Sequence, residues 1–143
     1  MNATRSGVAI RVAFIAAAAI LFLAGTSQAQ SGALRATMPF SFYAGDQLLP
    51  AGEYEIRAVG NGVVKLSNFE AQKSVVFFTV GVNHVTANPI SPRLTFNRYS
   101  DDGYFLSEMW WAGQDGRKSM PTKREAELAK TVSPEQTVTL AHR

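Results

Sequence analysis

Side chains able to act on a substrate are few. The chain holds two histidines, His84 and His142, and no cysteine. His84, beside Asn83 and ahead of Pro89, has the chemistry of a general base or a metal ligand. No second His or acidic residue stands at a ligand spacing from it, and catalysis needs an oriented partner. His142 is next to last in the chain. Glu53 and Glu55 lie two apart, about 7 Å along a strand. That matches a glycosidase separation in number only, because both acids fall on a wetted face. Asp101-Asp102-Gly103 lacks the alternating oxygen ligands and distal Glu of a calcium loop. There is no Gly-x-Ser-x-Gly, P-loop or dinucleotide fingerprint. The residues therefore designate no catalytic, cofactor or metal site. A hydrolase using Glu53 or Asp101 ranks below any binding role.

The aromatic pair Trp110-Trp111 carries more information. Neighbouring strand residues point to opposite faces, so a one-sided core cannot take both rings. One indole is expected at a rim, where with Tyr104 it would stack on a sugar ring or a partner's apolar group. The competing expectation is that the second Trp covers an edge or packs under a helix.

Positioning these residues requires β-structure. Met38 to Tyr43 puts Phe40 and Phe42 on one face, with Pro39 at an exposed start. Leu49-Pro50-Ala51-Gly52 has type I turn chemistry. In Glu53 to Val59, Tyr54, Ile56 and Ala58 alternate with Glu53, Glu55 and Arg57, so one face is buried and one wet. Gly60-Asn61-Gly62 supplies positive φ for a hairpin into Val63–Ser67. Ser74 to Val82 is apolar at almost every position and is expected to be buried on both sides. Arg93–Tyr99 and Tyr104–Trp110 form a second hairpin around Asp102-Gly103. Thr122-Lys123-Arg124-Glu125 has capping-box spacing and opens a helix whose stripe is Ala126, Leu128, Ala129 and Val132. Ser133-Pro134 ends it.

The expected architecture is mainly β: an antiparallel β-sandwich or small β-barrel of about seven strands with one C-terminal α-helix. Its expected divisions are a cleavable signal peptide over 1–29, a linker over 30–35, the domain over 36–132 with its helix at 122–132, and a tail over 133–143. Arg5 and Arg11 precede a 13-residue apolar run, Val12 to Ala24. That is short of the roughly 20 residues of a membrane span. Small residues at Ser27 and Ala29 place a cut before Gln30. Cleavage removes 29 of the 143 residues and both arginines, so the 14 basic residues become 12 against 11 acidic ones, a net +1 instead of +3. Basicity is thus mostly an export feature, and a nucleic-acid partner loses its support. The mature protein is expected in the periplasm or outside the cell, with no stable membrane insertion. Without cysteines, its stability must come from an aromatic core.

Five pieces recur in order: Met38-Pro39-Phe40-Ser41-Phe42-Tyr43-Ala44-Gly45, Leu49-Pro50-Ala51-Gly52-Glu53-Tyr54, Leu94-Thr95-Phe96-Asn97-Arg98-Tyr99, Tyr104-Phe105-Leu106-Ser107-Glu108-Met109-Trp110 and Lys123-Arg124-Glu125. Together they resemble a family of small exported bacterial β-rich proteins of unknown function, over most of residues 36–130. The resemblance implies a signal peptide, a compact β-domain and a basic-acidic helix, and transfers no catalytic residue. Ser100 stands where that family usually has Gly. The Leu-Pro-Ala-Gly-Glu-Tyr piece alone is also similar to prealbumin-like β-sandwiches of surface proteins. The function expected is a non-enzymatic structural or protein-binding module of the cell envelope, its partner an envelope protein. The alternative is a small carbohydrate- or ligand-binding module using Trp110, Trp111 and Tyr104 on a glycan.

Overall fold

Alternation of buried and exposed side chains builds the first sheet. The computed structural model describes residues 32–83, 91–113 and 115–142. The expected signal segment with its expected cleavage site, and His84, lie outside these residues. Strands β1 (Leu34–Met38), β4 (Gly52–Gly60), β5 (Val63–Asn68) and β6 (Lys73–Val82) pair antiparallel in the order β1-β4-β5-β6. Leu34, Ile56, Leu66 and Val75 fall in one register row, all pointing inward. The ladder then continues from the second half of β6. Thr79 to Val82 pair with β9 (Gly116–Ser119), which pairs with β8 (Tyr104–Trp110). On its other side β8 pairs with β7 (Arg93–Arg98), and β7 with β10 (Glu135–Leu140).

A small hairpin of β2 (Phe42–Ala44) and β3 (Gln47–Leu49) joins the start of β8 through a parallel pair, Phe42 with Tyr104 and Tyr43 with Phe105. The sheet is therefore mixed, where an antiparallel one was expected, and ten strands are described in place of about seven. It is not a closed barrel. Between β1 and the chain end the ladder shrinks to one bridge, Arg35 with His142.

Several boundaries differ from expectation. The strand expected from Met38 to Tyr43 is interrupted by a bend at 39–41, and β1 begins inside the expected linker. The C-terminal tail is strand β10 for most of its length, because its backbone finds a ladder partner in β7. Helix α1 (Lys123–Thr131) lies where expected, with Thr122 as N-cap and Val132 as C-cap. Its apolar stripe is not its buried face, however: Ala126, Ala129 and Val132 are exposed, and Glu125 is the buried residue. Strand β6 was expected to be covered on both sides. Val75, Phe77 and Thr79 are buried, but Val76, Phe78 and Val80 face outward without cover.

Inward side chains from both parts of the sheet meet in one cluster. Phe42 packs edge-on against Tyr54 and Phe96 at 5.2 and 5.3 Å between ring centres. Such pairs add about 0.5–1.5 kcal/mol each beyond area burial. No described helix is long and apolar enough to cross a membrane.

Candidate functional site

The aromatic residues singled out by sequence do not form a shared platform. Tyr104 and Trp110 stand at opposite ends of β8, about 20 Å apart by the strand rise. Trp110 is only 6% exposed. Its indole Nε1 donates to a Glu108 carboxylate oxygen at 3.0 Å, and the Arg93 guanidinium lies 5.3 Å from its ring centre. Gly116 lies against the ring, where a Cβ would come within 2.7 Å of it. Trp111 is 5% exposed and belongs to the core cluster. Tyr104 is half-buried, stacked on Phe40 at 3.8 Å with the Arg98 guanidinium 5.6 Å from its ring centre. The expectation of a rim-exposed indole is corrected: Arg93, Glu108 and Gly116 cover the Trp110 ring, and Trp111 packs into the core cluster.

Trp111 keeps one unusual feature. Its buried Nε1 has no hydrogen-bond partner among the described residues. The residue lines a cleft of about 270 Å³ with Ala58, Gly81, Asn83, Asp115 and Arg117.

Of the acidic candidates, Glu53 and Asp101 stand exposed, while their neighbours Glu55 and Asp102 are held in ion pairs. Glu55 accepts from Arg57 Nε at 2.6 Å and pairs with Arg35 at 3.5 Å. The hydrogen bond from Arg57 leads in holding its carboxyl below the usual range, with both guanidinium charges adding to it. A carboxyl held ionised is poorly suited to donating a proton. Asp101 and Asp102 sit in a 3-10 turn, and Asp102 pairs with Arg124 at 3.8 Å.

The pieces that carried the family resemblance explain themselves as architecture. Tyr54 donates its hydroxyl to the Pro50 carbonyl at 2.7 Å, bracing the Leu49–Gly52 corner. Gly52 has φ +148°, and a Cβ there would lie 2.7 Å from Asn68 Nδ2, so the position needs glycine. Burial pushes the Tyr54 hydroxyl up in pKa, against the hydrogen bond with Asn68. At the helix, the Thr122 hydroxyl accepts from the Glu125 N–H at 3.1 Å. The Glu125 carboxylate does not reach back as a capping box would; it accepts from Asn97 Nδ2 at 3.0 Å and the Tyr99 hydroxyl at 3.4 Å. Burial, then the Glu125 charge, raise the Tyr99 pKa. Arg124 adds a cation–π contact, 4.9 Å from the Tyr43 ring centre. Helix α1 is thus fixed to the sheet by polar anchors.

What sequence reasoning missed is the outward side of β6. Phe78 is 71% exposed and Val76 57%, and Val80 and Met120 are exposed beside them. Along this strand runs a groove of about 390 Å³, lined by Val75 to Phe78 together with Gly45, Asp46, Gln47, Met120, Pro121 and Thr122. The signal was present in the uninterrupted apolar run, which fits a bare face as well as a covered one.

No family model, curated protein or solved structure matches this chain. The assignment therefore rests on the molecule itself.

Proposed function

We propose that the chain is an exported, non-enzymatic protein-binding module of the cell envelope, built as a β-sandwich in which β6 is shared between two sheets. The observation that carries this reading is the exposed apolar stripe Val76, Phe78, Val80 and Met120 beside an open groove. Contiguous apolar surface on a soluble domain marks a contact site, because leaving it in water forgoes the free energy of burial. The resemblance to small exported β-rich bacterial proteins is in keeping with it. The test is purification of the tagged protein from its own envelope, with Phe78→Lys alongside. A defined partner should co-elute with the parent protein and be lost from the variant. Equal recovery with both would sink the reading.

A second reading, a small-ligand module, is favoured by one observation only: the Trp111 N–H, without a partner among the described residues, in a residue lining the 270 Å³ cleft. Titrating the protein with a glycan panel while following tryptophan emission tests it. No saturable change with any glycan removes the carbohydrate version.

A further inference from the structure

β6 is two-sided in its hydrogen bonding as well as in its burial. Lys73 to Phe78 pair with β5 on one edge, but β9 covers the other edge only from Thr79 to Val82. A strand residue's N–H and C=O point to the same edge and alternate along the chain. The Thr79 N–H donates to the Gly62 carbonyl on the β5 side, while the Phe78 carbonyl accepts from the Met120 N–H at 3.4 Å on the opposite side. By alternation, the peptide groups of Ser74 and Val76 and the Phe78 N–H point away from β5. Past Met120 the chain turns into α1, and among the described residues no strand pairs with β6 over Ser74–Val76 on that side. Of these residues, Val76 and Phe78 line the 390 Å³ groove.

We propose that this edge accepts an added β-strand: an extended, largely apolar peptide segment carrying a basic residue, paired along Ser74–Phe78. The proposal deepens, and rests on, the protein-binding reading above. Three features select this occupant. The free edge spans five residues, about 17 Å, the length of an ordinary strand. It lies in a groove that the β2–β3 turn and Met120–Thr122 also line, so a second copy's β6, recessed in the same way, cannot come flush with it, whereas a single extended segment can. Ser74 to Val82 contains none of the Lys, Glu or Pro residues that usually guard an edge. Asp46 is the one charged residue lining the groove and makes no ion pair among the described residues, which favours a cationic side chain at that end. Main-chain pairing would supply affinity, and alternate side chains the selectivity.

The probe is a capped hexapeptide of alternating Val and Thr with one terminal Lys, added to the full mature chain while amide exchange is followed by NMR. At saturation, exchange at Val76 and Phe78 should slow by about tenfold or more, with Val75 and Phe77 unchanged. N-methylation of the peptide's pairing edge should abolish binding, and methylation of its other edge should not. Asp46→Lys should weaken binding of this peptide and improve that of a Glu-ended one. Binding without slowed exchange at Val76 and Phe78 overturns strand addition while leaving a protein-binding face intact. So does absence of binding up to about 1 mM, since the co-elution test at Phe78 decides the broader reading separately. Protection that rises with the protein's own concentration, without peptide, also overturns it and identifies self-pairing.

Discussion

The two faces of β6 are made of the same material. Val75 and Phe77 point inward, Val76 and Phe78 outward, yet the first pair is buried and the second stands in water. The same outward face looks different two and three strands away, where Glu55 and Arg57 on β4 and Arg35 on β1 form a charged network. One sheet thus carries a surface suited to solvent at one end and a surface suited to contact at the other. Burial is decided by what the topology stacks against a strand, and composition alone does not reveal it.

The most forceful way to break the comparison is to truncate each phenylalanine. Phe77→Ala should cost about 3–5 kcal/mol in urea unfolding, as large core truncations do. Phe78→Ala should stay within about 0.5 kcal/mol. Similar losses would mean that both faces serve the fold. Helix α1 repeats the inversion with a smaller expected effect. Glu125→Ala should cost about 1–3 kcal/mol, because it strands the buried Tyr99 hydroxyl and Asn97 amide. Ala129→Gln, on the exposed stripe, should stay within about 0.5 kcal/mol.

The smallest effect sharpens the charged end. The Glu55 carboxyl is held below its unfolded value, so its stabilisation is complete above the ordinary carboxylate range and fades as pH falls through the folded-state pKa. Glu55→Gln should flatten that acid portion of the stability profile, measured by urea unfolding at stepped pH. Tyr54 and Tyr99 act in the opposite sense. Their raised pKa values add stability that is complete below the ordinary tyrosine value and is lost as pH rises beyond it.

Much of the fold was legible because the residue types alternate cleanly. Glu53–Val59 announced both its faces, and Thr122 with Glu125 announced the helix start. Ser74–Val82 was ambiguous for the opposite reason: with apolar residues at both parities, no pattern distinguishes a covered strand from a half-bare one. β2 and β3, three residues each, are too short for periodicity to register. β10 sits beside the C-terminus and owes its form to β7 rather than to its own composition. The Trp pair misled because β8 is covered on both faces: Phe105, Leu106 and Ser107 are buried in succession, then Met109 and Trp110, so neighbouring rings need not divide between core and rim. The β6 groove depends on where β9 stops pairing, a tertiary fact with no local sequence signal.

The most direct measurement is site-specific photo-crosslinking on the outward face, in the intact envelope. A photoreactive phenylalanine at position 78 is compared with one at position 57, both exposed and on the same sheet. The account predicts one discrete adduct of defined mass from position 78 and none from position 57. Equal labelling at both positions, or none at 78, would contradict it.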